Sequence, residues 1–166
     1  MRETKEHGRV YKAGWVMGLS LQSKHIRVTC AIIERNGLIL AAQRSASSSM
    51  PLKWEFPGGK INKGESAEEC LHRELKEELG IRVAVQQELP TSTHHYPSFT
   101  ITLHPFVCTI ISKNIALREH ASVAWRLPQE IHSLDWAEAD LPVLKAYLAE
   151  QSTNNKLMYK KSEGKI

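Results

Sequence analysis

The 166-residue sequence predicts a single α/β domain, and three observations carry that expectation. Two β-branched runs flank a short turn early in the chain. A leucine-striped helix with both ends marked follows, and a second helix comes after several more strands. The length fits one domain with a genuine core. With 42% hydrophobic and 24% charged residues, the composition is that of an ordinary globular protein.

Residues 1–25 read as an N-terminal extension of mixed charge, with scattered Gly8, Gly14 and Gly18 and no clear period. No apolar block follows the charged start, so it is not expected to be a signal peptide. The domain proper spans residues 26–151. Arg27–Glu34 is rich in β-branched residues, and Gly37–Ala42 follows a Glu-Arg-Asn turn, a strand–turn–strand pattern. Residues 46–51 are a loop by composition. Trp54, Glu55 and Phe56 form a short strand that runs into the backbone break Pro57-Gly58-Gly59.

Ser66–Leu79 is the most sharply delimited element. Ser66 and Glu69 have the spacing of a capping box, in which each side chain satisfies an orphan amide of the first turn. Gly80 ends the helix by tolerating a left-handed conformation. Leu71, Leu75 and Leu79 share one stripe that should face the core. Further strands are expected at 83–87, 98–111 and 122–126, the long one with a bulge or edge position at His104-Pro105. Residues 139–151 make a closing helix with Leu141, Leu144 and Leu148 on one side. Residues 152–166 read as a polar, frayed C-terminal tail.

Several function classes recede on composition. Cys30, Cys70 and Cys108 are scattered and odd in number, which argues against a disulfide framework or zinc and for small buried hydrophobes. The eight histidines show no zinc-binding spacing. No apolar run nears the ~18 residues of a membrane helix, so no membrane partner is expected and a cytoplasmic place follows by default. The net charge of +4 sits largely in Lys156, Lys160, Lys161 and Lys165, a solvated end, so no stable nucleic-acid binding is expected. Oligomeric state is not legible.

The chemistry concentrates beside the leucine stripe, where Glu74, Glu77 and Glu78 share an arc of about 100°. Carboxylates three and four residues apart repel and destabilise a bare helix by a few tenths of a kcal/mol per pair. Converging carboxylate oxygens are what Mg2+ or Mn2+ requires. A solvated acidic face with Arg73 and Lys76 as counter-charges explains the helix alone equally well.

The surrounding spacing favours the metal. Gly59 is followed after five residues by Glu65, and after seven more by Arg73-Glu74-Leu75. One residue later comes Glu77-Glu78, and one residue after that Gly80-Ile81. That spacing fits the Nudix box at every defined position, a coincidence expected on the order of once in a billion windows by chance. The flanking Lys53–Lys60 resembles the lead-in of MutT-type members, and the resemblance extends from about Arg27 to Leu148.

The resemblance implies an α/β/α sandwich with a mixed sheet, the box helix on one face. It also implies a Mg2+-dependent (or Mn2+-dependent) hydrolase that cuts a nucleoside triphosphate into the monophosphate and pyrophosphate. Glu77 and Glu78 are then the main carboxylate ligands, with the Gly59 carbonyl. Arg73 becomes a clamp that orients Glu77 or Glu65. Glu119 corresponds to a further metal ligand or base, with Glu74 as the rival base. Arg44 and Lys60 fall where phosphates are contacted, though each also reads as a plain surface charge.

Asp140 corresponds to the residue that meets the base edge. An ionised carboxylate there suits N–H groups, such as those of guanine or the exocyclic amine of cytosine. It also reads as the N-cap of the closing helix, with Pro142 in the first turn. The family member best known for destroying oxidised guanine nucleotides carries Asn there, so the Asp speaks against a strict oxidised-guanine preference, and 8-oxo-dGTP and CTP both stay open as substrates. Tyr96 and Phe99 are candidates to stack on the base. Two alternatives remain: hydrolysis of another nucleoside diphosphate derivative such as ADP-ribose, and a non-catalytic nucleotide sensor. The complete set of box glutamates speaks against the sensor.

Overall fold

The computed structural model describes residues 24–163, with side chains to 153. The N-terminal extension lies outside the described residues except for Lys24 and His25, which open the first strand. In chain order the elements are β1 (Lys24–Arg35), β2 (Leu38–Gln43), β3 (Trp54–Glu55), α1 (Ala67–Leu79) and β4 (Val83–Glu88). They continue with β5 (Ser92–His95), β6 (Phe99–Ile110), β7 (Ser122–Arg126) and α2 (Leu141–Glu163), with one 3-10 turn at Ile131–Ser133.

The strands form one mixed seven-stranded sheet. β1 runs parallel to β6 along eleven residue pairs, and all other pairings are antiparallel. The period-two alternation of β1 separates two cores. Cys30 and Ile32 face a cluster with Trp136, Val143, Leu144 and Tyr147 beneath α2. Ala31 and Ile33 face the opposite cluster with Leu71, Leu75 and Leu79 of α1. The α/β/α sandwich is therefore present, with the leucine stripe buried as the spacing predicts.

β1 and β2 meet only at their hairpin, closed by Asn36 and Gly37 with φ of 53° and 76°, the conformation that a two-residue turn needs. Beyond it they diverge, and residues 54–61 fill the fork. β3 pairs with the end of β2. On the other side, the carbonyls of Pro57 and Gly59 accept the amides of Ala31 and Thr29, each at 2.9 Å, and Ile61 donates to Arg27 at 3.0 Å. The glycine loop is thus built into the sheet.

α1 carries the capping box in full: Ser66 Oγ accepts the Glu69 amide at 3.2 Å, and the Glu69 carboxylate accepts the Ser66 amide at 2.9 Å. Gly80, at φ 63°, closes its C-terminus. Three expectations need correction. The hairpin strand β5 (Ser92–His95) was not anticipated, because its polar Ser-Thr-His-His composition lacks an apolar alternation. β6 has no bulge of its own at His104-Pro105, although these residues do sit at a local edge, since β4 pairs only as far as Phe106 and β5 only from Leu103; the irregularity lies in β4, between Val85 and Gln87. Pro105 is tolerated because its carbonyl side faces Leu89, in the gap between the end of β4 and the start of β5. The closing helix runs to Glu163 rather than Gln151, since no glycine or proline interrupts residues 143–163.

Candidate active site

The C-terminal part of α1, the glycine loop, β3 and the loop before β7 enclose a cleft of about 570 Å³. The apolar part of its lining is Ile26, Val28, Phe56, Tyr96, Phe99, Ile101 and Leu103. The acidic part is Glu55, Glu74, Glu78 and Glu119, with Gly58, Gly59 and Lys60 beside it. Arg44 and Asp140 also line the cleft.

The acidic part is organised around Arg73. Its guanidinium grips Glu65 with two parallel bonds of 2.8 and 2.9 Å, and also donates to Glu74 at 2.7 Å and Glu77 at 3.3 Å. The hydrogen bonds from Arg73 hold the Glu65 carboxyl down at about 2. Arg73 therefore fixes two box glutamates and touches a third. Glu65 sits at the clamp and does not line the cleft.

Glu78 is the buried acid of the set, 9% exposed, and accepts the Gly58 amide at 3.2 Å. Burial first, then repulsion from Glu55, Glu74 and Glu119, pushes its carboxyl up to about 8. Gly59 lies against Glu74 so closely that a Cβ there would fall 2.2 Å from the Glu74 carboxyl carbon. The Gly59 carbonyl already accepts the Thr29 amide. Glu77 is not brought into the cleft; its side chain is 55% exposed and its partner is Arg73.

Among the described residues, no three acid, histidine or cysteine groups close on an ion as they stand. The donor set nevertheless fits a divalent cation: four carboxylates line one cleft, one of them is buried and penalised for its charge, and a glycine leaves space for another.

Two residues without an assigned role belong to the site. Glu55 accepts Arg44 at 2.5 Å on one oxygen and lies 3.1 Å from His120 Nε2 on the other. Glu55 was hidden in the sequence because a two-residue strand before a Gly-Gly break shows no alternation to place its face. His120 carried no signal beyond its position next to Glu119. Arg44, expected at phosphates, lines the cleft but is held by Glu55; Lys60 lines it and is exposed.

In the apolar part, Tyr96 and Phe99 face each other across the β5–β6 turn, ring centroids 4.7 Å apart. Asp140, 6% exposed, accepts the Phe56 amide at 2.9 Å rather than an amide of the first turn of α2. Its side chain thus ties the start of α2 to the loop after β3. All three cysteines are free and buried. No helix among the described residues is long and apolar enough to cross a membrane.

A family model described as the NUDIX domain matches residues 23–154. The CTP pyrophosphohydrolase of Escherichia coli K12 is 39% identical over 126 residues, spanning 76% of this chain and 93% of the relative. A putative 8-oxo-dGTP diphosphatase 2 of Mycobacterium tuberculosis H37Rv is 32% identical over 120 residues, 68% of this chain and 81% of the relative. The solution structure of the E. coli ORF135 protein superposes with a TM-score of 0.68 at 37% identity, covering 78% and 93% of the two chains.

Proposed function

The chain belongs to the Nudix family, and from that premise we propose that it hydrolyses a nucleoside triphosphate to the monophosphate and pyrophosphate. It is a nucleotide pyrophosphohydrolase of the MutT-like kind. The observation that carries this reading is a single cleft whose lining combines four carboxylates with Tyr96, Phe99 and Asp140.

Family members generally need a divalent metal. In this chain Glu78, Glu74 and Glu119, with the Gly59 carbonyl, are the groups that would hold Mg2+. Glu77 would serve from the rim. A divalent cation held there would neutralise charge on the polyphosphate and make the attacking water more acidic. The remaining chemistry falls to protein groups. The water oxygen bonds to the β-phosphorus, and the bond to the oxygen bridging α and β breaks. That electron pair leaves with the monophosphate, and the water's proton passes to a carboxylate. Glu119 and Glu74 are the two carboxylates we consider for that role. Glu119 has no hydrogen-bond partner among the described residues, whereas Glu74 is held by Arg73. Comparing kcat for Glu119→Gln and Glu74→Gln across pH separates them.

The substrate base would lie against Tyr96 and Phe99 and meet Asp140. Pyrophosphate release should be measured with magnesium on CTP, 5-methyl-dCTP, 8-oxo-dGTP, dGTP and ADP-ribose, for wild type and Glu78→Gln. Release from a triphosphate, reduced at least about a hundredfold in the variant, is expected. Tight binding of nucleotides with no turnover of any would overturn the hydrolase reading in favour of a sensor.

A further inference from the structure

A second, smaller cavity of about 140 Å³ adjoins the acidic part of the cleft. Arg44, Glu55, Glu78 and Glu119 line both spaces, while Ser45, Ser48 and His120 line only the smaller one. Among the described residues, the buried side-chain polar atoms without a hydrogen-bond partner are three: Arg44 Nε, Ser48 Oγ and His120 Nδ1. All three belong to residues of this cavity. The His120 side chain is only 4% exposed, and its Nε2 is already engaged with Glu55. Buried polar atoms left unsatisfied each cost about 1–3 kcal/mol, so three around one space mark it as built to receive something polar.

We propose that this cavity is the subsite for the terminal phosphoryl group of the substrate's polyphosphate chain. The inference rests on the reading of the cleft as a nucleoside-triphosphate site. With the base against Asp140, the chain of phosphates runs past Arg44 toward the acidic part, and the side cavity is the next space in line. Arg44 Nε–H and Ser48 O–H are both donors, the pair that phosphoryl oxygens need. The cavity holds several times the ~30 Å³ share of one water, enough for a phosphoryl group.

The charge balance makes the subsite selective. Glu55 is compensated by Arg44, but Glu119 also lines the cavity with no cation beside it and repels a lone anion. The cavity therefore accepts a phosphoryl group only as part of a metal-neutralised polyphosphate, and inorganic phosphate alone does not bind there. Contacts in this cavity distinguish triphosphates from diphosphates.

The test is calorimetric binding, with magnesium, of an α,β-methylene nucleoside triphosphate and of the corresponding diphosphate. Wild type should favour the triphosphate. Ser48→Ala should weaken triphosphate binding about tenfold, the effect of one hydrogen bond to a charged group, and leave the diphosphate within about twofold. The unchanged diphosphate affinity also shows that the variant is folded. Ser152→Ala, exposed on α2 with its hydroxyl donating to the Leu148 carbonyl, should change neither. Equal weakening of both analogues by Ser48→Ala, or of neither, overturns the subsite while leaving the nucleotide reading intact. If wild type binds neither analogue, the nucleotide reading falls and the subsite with it.

Discussion

The carboxyl of Asp140 is pushed up to about 8, by burial first and then by Glu55, against the pull of the Phe56 amide and Arg44. At neutral pH it is therefore a protonated acid, with an O–H donor beside an acceptor oxygen, not the acceptor-only group that an ionised carboxylate would be. Its folded value lies above its ordinary 3.8. Between the two the folded protein keeps a proton that the unfolded chain has released, so stability falls as pH rises through that interval. Asp140→Asn keeps an acceptor for Phe56 and does not titrate. Urea unfolding should show the stability difference between variant and wild type moving in favour of the variant by at least about 1 kcal/mol between pH ~5 and ~8. A difference that stays constant would mean that the carboxyl is ionised throughout.

On the scale of the elements, two neighbouring glycines have opposite duties. A Cβ at Gly58 would fall 2.1 Å from the Thr29 carbonyl oxygen and 2.8 Å from Cys30 Cα, both backbone of β1. Gly58→Ala must displace a central strand and should destabilise by about 3 kcal/mol or more. A Cβ at Gly59 meets the end of the Glu74 side chain, which can swing away. Gly59→Ala should therefore melt close to wild type, within about 1 kcal/mol, yet lose divalent-cation affinity and turnover. Thermal melts beside cation titrations check both; equal stability losses would sink the distinction. The contrast marks what a sequence discloses. Ser66, Glu69 and Gly80 announced α1 because capping is settled within a few residues. The direction of Glu77, half-exposed beside Arg73, and the inclusion of Glu55 and His120 were not legible. They depend on how β3 and the loop before β7 meet the helix, with Glu55 22 positions before Glu77 and His120 43 positions after it.

For the whole molecule, the α/β/α layering was legible because each layer writes its own period: two in β1, near four in the leucines of α1. The pairing of β1 with β6 and the fork between β1 and β2 were not, since both are long-range choices that local pattern leaves free. That fork has a thermodynamic consequence. The loop bearing Gly58 and Gly59 is hydrogen-bonded into the sheet through Thr29, Ala31 and Arg27 before any ion arrives. Loading the site should reorder a few carboxylates rather than fold a loop, and so bury little additional apolar surface. Titration calorimetry with Mg2+ at several temperatures should accordingly give a heat-capacity change near zero, where a site that folds around its ion would give a markedly negative one.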